Sequence, residues 1–270
     1  MRALLASPLG FLIGVVLGSL GGGGSIIAVP ALVYVAGQDP AAATATSLLV
    51  VGTAALVGMV GHARAGRVRF AAGMMVGLAG IGGSLAGSAL NRSLDGDLLL
   101  LAFGVLVLLA AWRMLTGCPS CTQVAEDPPP GAPSGGVGVL TRRRLDATVV
   151  VRVVLAGTAV GFLTGLFGVG GGFVIVPALT LVLGFTMPEA IGTSLLVIAL
   201  NAATALAARL GTSGVDWSVA LPFTIAALGG VVAGSRVADR VDARTLVRWF
   251  AASLVVLSLV MITTHVQAVV

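Results

Sequence analysis

Charged residues are scarce in this chain, and lysine is missing altogether. Asp, Glu, Lys and Arg make up 9% of the 270 residues, whereas a soluble domain carries about 25%. Hydrophobic residues make up 57%, and the mean hydropathy is +1.10. Polar side chains are too few to cover a water-exposed surface of this size. The sequence therefore predicts a protein that is embedded in lipid.

The motifs of common enzyme classes are absent as well. The chain has no phosphate-binding GxxxxGK[ST] loop, no GxSxG elbow, no HExxH and no paired carboxylates in a plausible pocket. Its two cysteines form a lone Cys118-Pro119-Ser120-Cys121, and a metal or redox role would want a second such motif or a folded context. We predict no enzyme activity, no cofactor and no metal site. Basic residues are not interleaved with aromatics, which argues against a nucleic-acid partner.

Eight apolar stretches are arranged around one polar, Pro-rich segment at 117–146. This pattern predicts a first transmembrane repeat at 1–116, a cytoplasmic linker at 117–146 and a second transmembrane repeat at 147–270. The apolar stretches are 3–37, 43–61, 71–90, 98–115, 148–183, 190–208, 219–235 and 247–264.

The two halves repeat each other at a constant separation of 147 positions. Pro30 corresponds to Pro177, and Thr46-Ser47-Leu48-Leu49-Val50 corresponds to Thr193-Ser194-Leu195-Leu196-Val197. Roughly ninety residues align without a gap, which indicates an internal duplication. Duplicated membrane halves with glycine-interrupted segments in matching positions are typical of secondary transporters. We predict an all-α membrane protein, a polytopic helical bundle built from two tandem repeats.

A glycine run breaks the first apolar segment of each repeat. One is Gly21–Gly24 followed by Ser25, and the other is Gly168-Val169-Gly170-Gly171-Gly172. Broken backbone inside a membrane is tolerated only where it is buried in protein or lines a cavity. A helix that begins there exposes free N–H groups and the positive end of its dipole, which favours an anion. The alternative is that the glycines only permit tight helix packing. The binding candidates in these runs are Gly23, Gly24, Ser25, Gly170, Gly171 and Gly172.

Polar side chains inside the apolar helices are the other binding candidates. Thr46, Ser47, Thr193 and Ser194 either donate hydrogen bonds to a ligand oxygen or bond back to a carbonyl of their own helix. Asn201 lies deep in an apolar span, so its amide either donates to a ligand or joins two helices. No chain of carboxylates resembles a proton relay.

The fifteen arginines distinguish two membrane topologies. If each broken segment crosses the membrane, both halves point the same way, with ten arginines inside and five outside. If each broken segment is a re-entrant hairpin, the halves are inverted, with twelve arginines inside and only Arg2, Arg92 and Arg209 outside. Because cytoplasmic connections carry an excess of Arg, we prefer the inverted repeat. A third arrangement stays open, since residues 148–167 alone could span the bilayer.

These motifs resemble the TauE/SafE family of bacterial sulfite and sulfonate exporters, also called the 4-toluene sulfonate uptake permease family. The resemblance rests on residues 161–172 leading to Pro177, on Gly192-Thr193-Ser194-Leu195 with Asn201, and on the first-half copy at 14–50. It implies a multi-pass transporter of the bacterial inner membrane for small sulfur oxyanions. Position by position, it also supports these binding candidates: Gly24, Ser25, Gly171, Gly172, Thr46, Ser47, Thr193, Ser194 and Asn201. The first half departs by having Gly22 for Val169 and Ala54 for Asn201.

We therefore predict a secondary transporter for a small anion, bound between the two glycine breaks near the membrane midplane. Export of a sulfur-containing anion of the sulfite, sulfonate or sulfoacetate type is the favoured function. The alternatives are a channel or uptake permease for another small solute, or a non-transporting membrane subunit. The expected partners are the small anion and the lipid bilayer, and a homo-oligomer stays open.

Overall fold

Helices make up all the regular structure that can be described. A computed structural model of the chain describes residues 2–22, 24–91, 96–116, 147–167, 172–209 and 217–269. Within these ranges every regular element is a helix, so the all-α prediction is confirmed. The predicted linker at 117–146 lies outside the described residues.

The first half contains five α-helices and one short π-helical segment. The π-helical segment, Ala31–Val35, continues directly from the second helix. The helices are α1 (Arg2–Leu20), α2 (Gly24–Pro30), α3 (Pro40–Arg64), α4 (Phe70–Asn91) and α5 (Gly96–Thr116).

The second half has the same kinds of element in the same order. Its π-helical segment, Ala178–Val182, again follows a short helix that ends at a proline. The helices are α6 (Ala147–Phe167), α7 (Gly172–Pro177), α8 (Met187–Arg209), α9 (Trp217–Arg240) and α10 (Ala243–Val269).

Within the described ranges, four helical stretches are long and apolar enough to cross a membrane, by length and composition. Two of them, in α3 and α8, are 56% and 61% buried inside the protein, against 39% for those in α4 and α9. The more buried pair therefore forms the centre of the bundle. The four stretches are Ala42–Arg64, Phe70–Gly87, Met187–Ala207 and Trp217–Arg240.

The two central helices run antiparallel to each other. A Cβ atom built on Gly52 of α3 would lie 3.0 Å from the Cβ atom of Ala202 on α8. A Cβ atom on Gly58, further along α3, would lie 3.0 Å from Cδ1 of Leu195, which is earlier on α8. Residue numbers at the contacts therefore rise along α3 while they decrease along α8.

Helix α1 packs against α9 with almost no side chain between the two backbones. A Cβ atom on Gly14 would collide with the carbonyl of Ala227, and one on Gly18 with the carbonyl of Val231. Small residues let membrane helices approach this closely. Residue numbers at these contacts rise along both helices, so α1 and α9 are parallel.

Helix α6 packs against α4 in the same manner. A Cβ atom on Gly157 would lie 2.8 Å from the Cα atom of Val76, and one on Gly161 would collide with the backbone of Gly80. These two helices are parallel as well. Glycines in α1, α4 and α6 thus allow close backbone contacts between the two halves of the chain.

The chain reverses direction after α1. Helix α1 ends at Leu20, and Gly21 follows with a φ of +76°, a conformation that glycine adopts without a Cβ penalty. Gly24 then lies against the preceding helix, since a Cβ atom there would be 3.1 Å from the Cβ atom of Leu17. Helix α2 therefore folds back along the last turns of α1.

Candidate functional site

The two glycine runs meet in the middle of the protein. A Cβ atom on Gly22 would overlap the carbonyl group of Gly172, and one on Gly172 would lie 2.9 Å from the Oγ atom of Ser25. The short helices α2 and α7 therefore begin next to each other. Any side chain at Gly22 would push them apart.

A cavity of about 550 Å³ opens beside this contact, a size typical of small-molecule sites. Five helices contribute to its wall, namely α2, α3, α4, α6 and α8. Hydroxyl groups, glycines and aliphatic side chains alternate around it, and none of the described residues that line it is charged. The lining residues are Ser25, Val29, Thr44, Ser47, Leu48, Val51, Gly80, Ile81, Ser84, Leu85, Gly161, Thr164, Gly165, Ile198, Asn201, Ala202, Thr204 and Ala205.

Most hydroxyl groups of the wall donate to carbonyls of the local backbone. The Oγ atom of Ser25 donates to the carbonyl of Gly22 at 2.8 Å, and that of Ser47 to the carbonyl of Thr44 at 2.8 Å. Thr164 donates to its own helix in the same way. Of the two interpretations for Ser47, the geometry favours back-bonding. These hydroxyls present acceptor oxygens to the cavity unless they rotate.

Two polar groups of the wall have no such internal partner. No hydrogen bond joins the side-chain amide of Asn201 or the hydroxyl of Ser84 to another described residue, and both side chains are half-buried. An amide NH₂ and a free hydroxyl are hydrogen-bond donors. Asn201 and Ser84 can therefore donate to a solute without breaking a bond in the protein.

The other predicted site residues that the structure describes are not part of the cavity lining. The hydroxyl of Thr193 accepts the backbone N–H of Arg69 at 3.1 Å, and Ser194 donates to the carbonyl of Ile191 at 2.8 Å. Thr46 is buried, and its hydroxyl has no partner among the described residues. Gly24 packs on α1. Gly23, Gly170 and Gly171 lie outside the described residues.

Ser84 and Thr164 are two wall residues that the sequence analysis did not single out. A signal for them existed, because the repeat departs from its pattern at both positions. The residues 147 positions away are Val231 and Leu17, so a polar side chain replaces an apolar one. Asn201 differs from its counterpart Ala54 in the same way, although it was predicted from its amide deep in an apolar span.

Two ion pairs lie at the other end of the bundle. Arg67, between α3 and α4, pairs with Asp239 near the end of α9. The guanidinium of Arg69 donates to a carboxylate oxygen of Glu189, with an Nε–Oε1 distance of 3.1 Å. The other oxygen of Glu189 accepts the backbone N–H of Thr186 at 3.3 Å. Both pairs connect the first half of the chain to the second.

An all-helical bundle with membrane-length helices and an uncharged cavity between them, lined in part by hydroxyl and amide groups, is the architecture of a polytopic membrane transporter. The chain belongs to the sulfite exporter TauE/SafE family, whose sequence profile matches residues 6–261. The membership predicted from the glycine motifs is thereby confirmed, and so is the location, a multi-pass protein of a bacterial inner membrane.

Curated relatives carry names of the same kind. A probable membrane transporter protein of Xylella fastidiosa is 33% identical over 235 residues, which cover 87% of this chain and 84% of the relative. The probable membrane transporter protein YunE of Bacillus subtilis is 26% identical over 255 residues, 92% of each chain. Among solved structures there is no match. The family and these names indicate membrane transport of a small solute.

Proposed function

We propose that this protein is a secondary transporter that exports a small sulfur-containing anion through the cavity between its halves. The proposal rests on the contact of Gly22 with Gly172 beside the cavity. Asn201 and Ser84 line that cavity, and their donor groups have no hydrogen-bond partner among the described residues. An uncharged wall with amide and hydroxyl donors suits a small oxyanion that must be released again, because binding stays moderate without a cationic side chain.

We also propose that residues 1–116 and 147–270 form inverted repeats, joined by a cytoplasmic linker at 117–146. The helix contacts support this, because a shift of 147 positions converts one set into the other. The contact of Gly14 with Ala227 becomes that of Gly161 with Gly80. The central helices α3 and α8 are counterparts and run antiparallel, as inversion requires.

The ion pairs favour the same topology. If each glycine-broken segment crossed the membrane, Arg67 and Asp239 would lie on opposite sides of the bilayer. They are in contact instead. With re-entrant hairpins, three crossings remain in each half, and the α3–α4 connection shares a side with the end of α9. That side carries most of the arginines, which identifies it as cytoplasmic.

Export needs no coupling ion in this proposal. The wall contains no carboxylate among its described residues that could carry a proton. When an anion leaves an inside-negative cell, its movement releases about 2.3 kcal/mol of free energy per elementary charge for each 100 mV of membrane potential. The potential alone is therefore a sufficient driving force.

The test is anion flux in liposomes that contain the purified protein. We expect sulfite or sulfoacetate to pass, at a rate that rises when the side receiving the anion is made positive. Asn201→Leu should reduce this flux, because it removes the amide donors while keeping a similar volume. Thr53→Val is a control on α3 that lies outside the cavity lining, since the hydroxyl of Thr53 donates to carbonyls of its own helix. Liposomes without flux of either anion would contradict the substrate class.

A further inference from the structure

The cavity and the ion pairs lie at opposite ends of the helix bundle. Cavity residues come from the first half of α3, up to Val51, and from the second halves of α4 and α8, such as Ser84 and Asn201. Because α3 runs antiparallel to both of these helices, all three segments lie at one end. Arg67 and Glu189 lie where α3 has ended and α8 begins, which is the other end.

The counterpart of the cavity, 147 positions away, is packed shut. Leu17 is the counterpart of Thr164, and Val231 is the counterpart of Ser84. The side chains of Leu17 and Val231 are both 0% exposed. Leu195, the counterpart of Leu48, is 0% exposed as well and lies with Val231 against Gly58. The protein is thus open at one end and closed at the related position of the other.

Neither ion pair is repeated 147 positions away in the sequence. The counterparts of Arg67 and Asp239 in the sequence are Gly214 and Arg92, which cannot form an ion pair. The counterparts of Arg69 and Glu189 are Asp216 and Ala42, which cannot do so either. Neither pair therefore has an equivalent at the corresponding sequence positions, so the two contacts are not copies of one duplicated ion pair.

We infer that the two ion pairs, Arg67–Asp239 and Arg69–Glu189, are the gate that holds the cytoplasmic end closed while the cavity is open to the outside. This inference rests on the proposed transport function and on the inverted topology. Opening the cytoplasmic end would separate the α3–α4 connection from α8 and α9, and a path would form where Leu17, Leu195 and Val231 now pack. An anion would enter by this path before the opposite cavity releases it.

The pairs are partly exposed, with side-chain exposures of 30% and 51% for Arg67 and Asp239 and of 26% and 19% for Arg69 and Glu189. Exposed pairs contribute modestly, and hydrogen bonds between charged groups, such as those from Nε and Nη2 of Arg69 to one oxygen of Glu189, are stronger than neutral ones. We expect loss of either pair to raise the cytoplasmic-open population about 3- to 10-fold. A contact of this strength can close the end and still open during each cycle.

The experiment measures access to one residue on each side. In a Cys118→Ser, Cys121→Ser background, Val231→Cys reports on the closed path and Ser84→Cys on the open cavity. A membrane-impermeant maleimide is applied from the cytoplasmic side to the first and from the outside to the second. Glu189→Gln and Asp239→Asn should speed labelling at 231 by about 3- to 10-fold and slow it at 84.

Two further variants separate a gate from a structural contact. The exchange Arg67→Asp with Asp239→Arg should return labelling at both positions to its original rate, because the pair is restored with reversed polarity. Arg113→Gln, an exposed arginine at the end of α5 without a described ion pair, should change neither rate. Unchanged labelling in Glu189→Gln and Asp239→Asn, or faster labelling at both 231 and 84, would overturn the gate.

The labelling does not depend on the transported anion. If labelling responds as expected but neither sulfite nor sulfoacetate passes, the gate stands and the proposed substrate fails. If flux occurs while labelling at 231 ignores both variants, the transport proposal stands and the gate fails.

Discussion

A single added methyl group at Gly22 is expected to stop transport. Gly22 touches Gly172 so closely that a Cβ atom would overlap the carbonyl group opposite. An ordinary contact needs at least 3.4 Å, so Gly22→Ala must move α2 and α7 apart by more than about 1 Å. A displacement of this size at a binding site costs roughly 10²-fold in rate.

The matched control is Gly82→Ala on α4. A Cβ atom built on Gly82 has no neighbouring atom within 4 Å, so the substitution fits without any movement. Both variants replace glycine by alanine, and the controls for expression and insertion are therefore shared. Overpacking should lower the stability of Gly22→Ala by about 1–3 kcal/mol, which leaves the protein folded in many cases.

The assay compares the initial rate of sulfite flux per folded protein in the two variants. Folded protein is counted by size-exclusion chromatography in detergent before reconstitution. We expect Gly82→Ala to transport like the original chain and Gly22→Ala to lose about 99% of the rate. Equal rates in the two variants would refute the claim that the approach of the glycine runs forms the site.

Three smaller predictions concern stability and the wall. Ser258→Ala should lower the free energy of unfolding by about 1 kcal/mol in a thermal assay, because the buried Oγ atom donates to the carbonyl of Gly104 on a neighbouring helix at 2.7 Å. Thr46→Val should keep both stability and flux, since this buried hydroxyl has no described partner and lies off the cavity wall; lost flux would instead assign it to the anion path. Gly161→Ala should lower the melting temperature, because its Cβ atom would collide with Gly80; an unchanged value would contradict the close packing of α4 and α6.

The sequence patterns predict the helical elements of this protein well. Long apolar stretches can only be helices in lipid, because the backbone must satisfy its own hydrogen bonds there. Helices α3 and α8 contain the predicted spans at 43–61 and 190–208 and extend beyond them by one to three residues at each end. The π-helical turns after Pro30 and Pro177 could not be predicted in this way. A π-helix differs from an α-helix by a slightly wider turn, and a short apolar run fits both.

The site could be predicted only in part, because tertiary packing decides which polar groups face the cavity. Ser25, Ser47 and Asn201 line it, as expected for binding candidates, but the hydroxyl of Ser47 is engaged by its own helix. Ser84 lies in a glycine-rich helix and was not predicted as a binding residue from the sequence. Partners such as Arg69 and Glu189 are 120 positions apart, and only the folded chain brings them together.

The central claim is that an anion binds in the cavity that lies beside the contact of the two glycine runs. Cryo-electron microscopy of the protein in nanodiscs, with and without a saturating concentration of a transported anion, tests it most directly. We predict added density within hydrogen-bonding distance of Asn201 and Ser84, beside the contact of Gly22 with Gly172. Density confined to the arginine-rich end, or an unchanged cavity despite measured flux, would contradict the account.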